Sequence, residues 1–347
     1  MIAHATPPVL EFSNLERSEI PTVIDLLAQG RPLDFAQCKS PIFEWQFKFD
    51  SNPRGDDFVV ARIDGRIVAT MGTMPVEINY QGAPRPAFWV VDFFVSPDHR
   101  GRGIGNALLE HVGRRAQAQL VFGMSDASQA MFASRGWPAD PDMRVFFCHL
   151  SEPGLRGLIK NTRSRLASMR GRRAPNDLRT ESRQRVAMAE LDGLWARVSS
   201  QFVSAVARTG AYLQWRYVDA PNARYRWMVH YRDGVLAAVA IFRHDPTESI
   251  LADYCGPLDD PVLLRGLIAA VVDELVACQT ARIRCEANHP AIQRALSAAG
   301  FVPTRFESRF RLNVPAGENT ARDWFLMTGD SDNDMLLGPG SGGAPGR

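Results

Sequence analysis

The 347-residue sequence predicts an α/β (α+β) protein built from two tandem copies of one unit. Each copy is expected to be a mixed, mostly antiparallel central sheet flanked by helices. Three observations carry this. A tryptophan-centred segment occurs twice, Trp45-Gln46-Phe47 and Trp215-Arg216-Tyr217, at an offset of 170 residues. Each copy is followed by two apolar runs around Asp-Gly, Asp64-Gly65 and Asp233-Gly234, a dipeptide whose tolerance of positive φ suits a two-residue hairpin. The same order of punctuation then follows in both halves.

That order defines the elements. A strand carries Val91-Asp92-Phe93-Phe94 in the first half and Ala252-Asp253-Tyr254-Cys255 in the second. Helices are expected around Ile104 to Ala118 and Val262 to Cys278, where apolar residues recur at helical spacing. Short strands come next, at Leu120-Val121-Phe122-Gly123 and Ala281-Arg282-Ile283-Arg284-Cys285. A short helix then ends in glycine plus an aromatic, Gly136-Trp137 and Gly300-Phe301, and a strand closes each unit at Arg144–Leu150 and Ser308–Leu312. Trp45 and Trp215 are expected to anchor the cores. The implied division is 1–150, a linker at 151–184, a second copy at 185–315 and a C-terminal tail at 316–347, loose from Pro339 on. The stretch from Ser151 to Val186 carries ten basic residues against three acidic ones, and Leu155, Leu158, Ile159, Leu166 and Met169 give it a helical apolar stripe. It reads as a helix resting on one domain. Attachment to an anionic membrane surface or an acidic partner is the alternative, disfavoured because the stripe lacks Trp and Phe.

Composition bounds the function. At 45% hydrophobic and 22% charged the chain is globular, and a net charge of +2 gives no global signal for nucleic acid. The five cysteines have neither zinc nor redox spacing. They read as reduced thiols of a cytoplasmic protein, with no metal expected. No apolar run approaches the ~20 residues of a membrane span, and the first residues lack the pattern of a signal peptide. No integral membrane association is expected.

One segment carries chemistry: Val95-Ser96-Pro97-Asp98-His99-Arg100-Gly101-Arg102-Gly103-Ile104-Gly105-Asn106. An apolar strand stops at a proline, a glycine-rich turn follows, and an amphipathic helix begins. Glycines at a helix start let backbone N–H groups converge on an anion. The helix dipole and Arg100 and Arg102 add positive charge. A pyrophosphate fits this design. The Walker pattern fails for want of lysine, and the dinucleotide fingerprint is met only in its first half.

The segment resembles the GNAT superfamily of N-acetyltransferases, whose Arg/Gln-x-x-Gly-x-Gly/Ala loop holds the pyrophosphate of acetyl-coenzyme A. The match falls on Arg100, Gly103 and Gly105 and spans most of residues 9–150, with a fainter echo over 185–313. The resemblance implies acetyl-CoA as co-substrate and a primary amine of a small molecule or glycan as acceptor. It implies a strand bulge exposing the N–H groups of Phe93, Phe94 and Val95 to the thioester carbonyl. It places cofactor contacts at Phe93, Phe94, Val95, Arg100, Gly101, Arg102, Gly103, Ile104, Gly105, Asn106 and Ser125, the last standing where the family usually has Asn. Asp92 occupies a position where family members often hold an acidic general base or substrate anchor. The competing reading is that Asp92 caps a turn or pairs with an arginine, which its counterpart Asp253 favours. His99 and His111 are weaker candidate bases.

Two departures matter. The tyrosine that protonates the leaving thiolate in many members is Phe132 here. The second half has Cys255-Gly256-Pro257-Leu258-Asp259-Asp260-Pro261 in place of the loop, so it is expected to bind no cofactor. Two alternatives to acetyl transfer stay open: a protein that senses acetyl-CoA without turnover, and an aminoacyl-transferase-like protein of envelope or polysaccharide synthesis. The intact loop speaks against the latter.

Overall fold

The computed structural model describes residues 9–29, 31, 35–48, 56–114, 118–140, 142–151, 161–162, 178–221, 224–307, 309–314 and 323–335. The expected helical stripe at 155–169 and the Pro339–Arg347 segment lie outside the described residues. The chain forms two compact units, residues 1–75 with 86–121, and residues 76–85 with 122–347.

In the first unit the sheet order is β1 (Leu10–Asn14), β2 (Phe58–Ile63), β3 (Arg66–Tyr80), β4 (Ala83–Val95) and β5 (Ala118–Phe122). The pairs β1–β2 and β2–β3 are antiparallel and β4–β5 is parallel. The Asp64-Gly65 turn forms as expected, with φ of +50° and +75°. Helices α1 (Ile20–Ala28), α2 (Phe35–Gln46) and α3 (Ile104–Gly113) complete the unit. α3 buries Ile104, Leu108, Leu109 and Val112, the stripe its spacing predicts. Trp45 is only half-buried, contrary to the expected anchor. The anchor is Phe47, fully buried and in ring contact with Phe43 and Phe58 at 4.9 Å. Gly72 makes room for it: a Cβ there would stand 2.5 Å from the Phe47 ring.

The second unit holds a seven-stranded sheet. Its members are β6 (Arg144–His149), β7 (Leu178–Arg183), β9 (Tyr225–Arg232), β10 (Val235–Arg243), β11 (Glu248–Cys255), β12 (Arg282–Ala287) and β13 (Val302–Glu307), ordered β13–β6–β12–β11–β10–β9–β7. Only β11–β12 among its described pairs is parallel. The Asp233-Gly234 hairpin forms with φ of +51° and +78°. Short strands β8 (Ser204–Val206) and β15 (Trp324–Phe325) pair with each other, and β8 also pairs with residues 78–80. β14 (Phe310–Asn313) bonds the backbone of residues 138–140. Among the described residues five helices are bounded here: α4 (Asp126–Ser134), α5 (Met188–Val198), α6 (Gly210–Tyr217), α7 (Pro261–Ala277) and α8 (Pro290–Ala298).

Three placements depart from the sequence reading. The strand closing the first copy, β6, lies in the second unit's sheet between β12 and β13. The end of the supposed linker is β7, an edge strand paired with β9, because Thr180 and Ser182 alternate toward partners on that face. Residues 323–335, assigned to the tail, are packed: Trp324, Phe325, Leu326 and Met327 are at most 2% exposed. Their Asp-rich continuation hid this, since buried carboxylates need partners no local pattern reveals.

Candidate acyl-donor site

β4 is irregular where chemistry is expected. Asp92 stands in mid-strand at φ +49°, a left-handed conformation that a non-glycine residue adopts when its surroundings impose it. An ion pair imposes it. Lys39 Nζ on α2 lies 2.6 Å from Asp92 Oδ2, with the two side chains 0% and 3% exposed. Lys39 also donates to Gln46 Oε1 at 2.5 Å and sits 5.7 Å from the centroids of the Phe43 and Phe47 rings. Thr70 Oγ1 donates to the Asp92 carbonyl at 2.8 Å. One positive-φ residue inside a strand marks a bulge, which re-aims the peptide groups after it, here those of Phe93, Phe94 and Val95. The ladder agrees: β4 pairs with β5 from Ala87 to Trp89, and β4 then runs on to Val95.

The turn after β4 is tied back onto the strand. Ser96 N–H donates to the Val68 carbonyl at 2.9 Å, and Ser96 Oγ and His99 Nδ1 are 2.8 Å apart. Arg100 Nε donates to the Val95 carbonyl at 3.1 Å, with its guanidinium 5.5 Å from the Phe94 ring centroid. Gly101 and Gly103 have φ of +73° and +79°, and a Cβ at either would meet nothing within 4 Å. Gly103 is the N-cap of α3, and no side chain caps it. The N-cap residue thus leaves the first-turn amides without a cap from its own side chain, and the space beside Gly101 and Gly103 is open. Arg100, Arg102 and Asn106 are exposed around this cradle, while Gly105 backs onto Phe93, 3.0 Å from where its Cβ would be. These residues fit a pyrophosphate: uncapped amides, helix dipole, two arginines and no carbon in the way.

Residues 11–139 match the family model described as an acetyltransferase (GNAT) domain. Residues 11–139 thus carry a GNAT acetyltransferase domain. Solved structures agree in fold. A GCN5-related N-acetyltransferase from Anabaena variabilis ATCC 29413 is similar at a TM-score of 0.63 and 12% identity, covering 88% of this chain and 73% of that one. N-myristoyltransferase of Saccharomyces cerevisiae, with bound myristoyl-CoA, is similar at 0.57 and 14%, covering 89% and 84%. A tandem GNAT protein from the clavulanic acid biosynthesis pathway is similar at 0.50 and 14%, covering 88% and 97%. No curated protein matches the chain. The GNAT fold supports acyl-CoA-dependent N-acyl transfer in general, with acyl-CoA as co-substrate.

Other residues singled out in the sequence have visible local roles. Ser125, in the second unit, caps α4 by accepting from Ser128 N–H at 3.3 Å. Phe132 is fully buried, its ring 4.6 Å from that of Trp137. His111 stacks on Phe12 at 4.9 Å.

The second copy repeats the ion pair but not the cradle. Arg208, seven residues before Trp215, donates to Asp253 Oδ1 at 2.9 and 3.0 Å, as Lys39, six residues before Trp45, pairs with Asp92. Arg208 also holds Asp330, and Tyr217 OH donates to Asp253 Oδ2 at 3.0 Å. Arg216 is likewise buried and pairs with Asp334, which accepts from Tyr225 OH as well. Burial pushes the Asp330 carboxyl up to about 6 despite Arg208. Where the first copy leaves amides uncapped, the second uses them. Asp260 accepts from Val262 and Leu263 N–H at the start of α7, and Gln201 Oε1 accepts from Leu258 N–H at 2.6 Å. Among the described residues no helix is long and apolar enough to cross a membrane, and no group of His, Cys, Asp and Glu could hold a metal ion. The four cysteines with described side chains are free thiols.

Proposed function

We propose that this chain is an N-acetyltransferase moving an acetyl group from acetyl-CoA to a primary amine of a small molecule or glycan, by direct transfer in a ternary complex. The observation that carries the reading is the turn from Arg100 to Gly105, with two left-handed glycines and an uncapped helix start behind a bulged strand. In this reading the backbone from Gly101 to Asn106 holds the pyrophosphate, with Arg100 and Arg102 supplying charge. The Phe93–Val95 N–H groups take the carbonyl oxygen, where preorganised donors favour the developing oxyanion. When bound, acetyl-CoA supplies an acyl group activated by a thiolate leaving group. Asp92 acts as a positioning residue: its carboxylate is held by Lys39, and its left-handed backbone sets the direction of the N–H groups that follow. The amine loses its proton to solvent, so the rate rises with pH toward the pKa of the amine. One acyl-CoA binds per chain, at the first copy, because the second copy's amides are taken by Asp260 and Gln201.

The test is a coenzyme A release assay over panels of amino sugars, polyamines, amino acids and peptides, with calorimetry of acetyl-CoA alongside. One site and amine-dependent release are expected. Two sites, or binding that Gly103→Val leaves unchanged, would refute the assignment. A second reading, acetyl-CoA binding without turnover, is favoured by Phe132, whose buried ring offers no proton to a leaving thiolate. Binding without release on any panel would select it.

A further inference from the structure

In the first unit, the chain from Asp92 to Ser96 takes four steps where its neighbour β3 takes two. Thr70 Oγ1 on β3 donates to the Asp92 carbonyl at 2.8 Å, and Val68, two residues back on β3, accepts from Ser96 N–H at 2.9 Å. A strand advances about 3.3 Å per residue, so roughly 7 Å of β3 lies beside a segment that would cover roughly 13 Å if extended. Phe93, Phe94 and Val95 therefore arch out of the ladder between two fixed points. The arch begins on exposed main chain: the Asp92 side chain is 3% exposed, yet the residue as a whole is only half-buried, so its exposed atoms are backbone. The hydroxyl that ties down this end belongs to a fully buried residue, Thr70.

One peptide group couples that hydroxyl to the site. The Asp92 carbonyl and the Phe93 N–H belong to the same planar trans unit and point in opposite directions. β4 lies between β3 and β5 in the sheet. A carbonyl held from the β3 side sends the Phe93 N–H toward the β5 side, where β4 pairs with β5 from Ala87 to Trp89 and then runs on. A hydrogen bond accepted by the carbonyl also polarises the N–H of the same unit and makes it the stronger donor. The second copy lacks each part of this arrangement. Counted from its Asp-Gly turn, the position of Thr70 is Val239, which has no hydroxyl. Asp253, which shares Arg208 with Asp330, does not take the left-handed conformation, and its own Oδ1 accepts from the next amide, Tyr254 N–H, at 2.8 Å. The hydroxyl accompanies the copy that has the cradle and is gone from the copy that does not.

We propose that Thr70 is a positioning residue for acyl transfer: through the Asp92 carbonyl it aims the Phe93 N–H at the thioester oxygen. The inference rests on the acyl-donor reading of the first copy and adds the side chain that sets its oxyanion donor. Lys39 holds the Asp92 side chain, and Thr70 holds its main chain. Without the hydroxyl the Asp92–Phe93 peptide is free to turn about its flanking bonds, so its N–H loses its aim while the cradle from Gly101 to Asn106 is untouched. Thr70→Val puts a methyl in place of the hydroxyl and keeps the β-branched shape that suits a strand. Val239, fully buried at the matching place in the second copy, shows that this position accepts that side chain.

The test uses the full chain with acetyl-CoA carrying carbon-13 at the acyl carbonyl, whose resonance moves downfield when the oxygen accepts a hydrogen bond. Calorimetry with unacetylated coenzyme A reads the cradle by itself. Wild type is expected to hold the bound resonance downfield of the free one. Thr70→Val is expected to lose about half or more of that displacement while binding coenzyme A within about twofold of wild type, since it disturbs a carbonyl donor and not the phosphate contacts. Thr70→Ser, which returns the hydroxyl, is expected to regain the displacement. A displacement that Thr70→Val keeps in full, or that Thr70→Ser does not restore, would overturn the role of Thr70 and leave the acyl-donor site standing. Loss of coenzyme A binding together with the displacement in Thr70→Val would make Thr70 a structural residue and overturn the role as well. A wild-type protein that does not bind coenzyme A, or binds acetyl-CoA with the carbonyl resonance at its free position, would instead refute the acyl-donor reading and this inference with it.

Discussion

Cutting the Lys39–Asp92 pair from one side shows what the pair is for. Both side chains are buried and the charged atoms are 2.6 Å apart. At an effective dielectric of about 20, that separation gives a gross attraction of about 6 kcal/mol. Most of this offsets the loss of hydration, so the pair itself adds little net stability. Removing one partner strands the other charge in the core, which costs about 3–5 kcal/mol. Lys39→Met keeps the stem that packs near Phe43 and Phe47 and deletes the charge. Asp92→Asn keeps the shape and tolerates the left-handed backbone. Each single variant should therefore lose about 3–5 kcal/mol in urea unfolding, read from the midpoint at constant m-value. The double variant should lie within about 1 kcal/mol of wild type, because no unpaired charge remains. Losses that simply add in the double variant would refute the ion-pair reasoning. The same proteins separate the roles of Asp92. A stable double variant that still transfers acetyl excludes Asp92 as general base. One that binds acetyl-CoA normally but has lost all turnover would restore it to that role.

Three further outcomes follow from the geometry. Gly103→Val should abolish acetyl-CoA binding in calorimetry, because a branched side chain would fill the cradle and must adopt a φ near +79°, a strain of roughly 1–2 kcal/mol; retained affinity would count against the loop. Phe132→Tyr, which restores the residue usual in the family, should lower stability by about 1–3 kcal/mol and leave turnover unimproved, since its hydroxyl would be buried beside Trp137; a gain in rate would show that the position reaches the thiolate. His230 is 1% exposed and burial lowers it to about 4, against 6.5 when unfolded. The unfolded chain thus binds the extra proton between pH 6.5 and 4, and wild type should lose about 3 kcal/mol relative to His230→Gln as pH falls through that window. Comparing the two proteins cancels the opposing contribution of Asp330, and parallel stability curves would sink the assignment.

What was legible in the sequence was local. Both Asp-Gly turns formed because the chemistry of two adjacent residues decides them. The glycines of the donor loop could be read because positive φ at a helix start leaves few other choices. The stripe of α3 followed from its spacing. Long-range partners were not legible. Lys39 is one of three lysines among 40 basic residues, with Phe35, Ala36, Ile42 and Phe43 three or four positions away on α2, which was the available signal that it is buried. Nothing near it in sequence points to Asp92, 53 positions on. The Asp-rich run at 330–334 resembled a solvated tail because its counter-ions, Arg208 and Arg216, lie more than 100 residues earlier. The half-burial of the tryptophans was missed for a related reason: the repeat shows which segment is kept, not which of its rings faces inward.

The position of β6 has a consequence in time. It pairs along its length with β12, residue against residue at separations of 133 to 143 positions. During synthesis at roughly 5–20 residues per second, Arg144–His149 would wait on the order of 10–30 s for that neighbour to emerge. Through that interval Val145, Phe146 and Cys148, all at most 5% exposed in the finished protein, have no sheet to enter. A strand held open so long invites wrong pairing, and long-range pairing is slow in itself. The second half made alone would meet the converse problem, since β12 and β13 would each lack the strand that separates them, leaving two bare edges. The seam between the copies in the sequence is therefore a poor place to cut: a fragment ending near residue 150 would carry an orphan strand, and one beginning there would have a gap in its sheet.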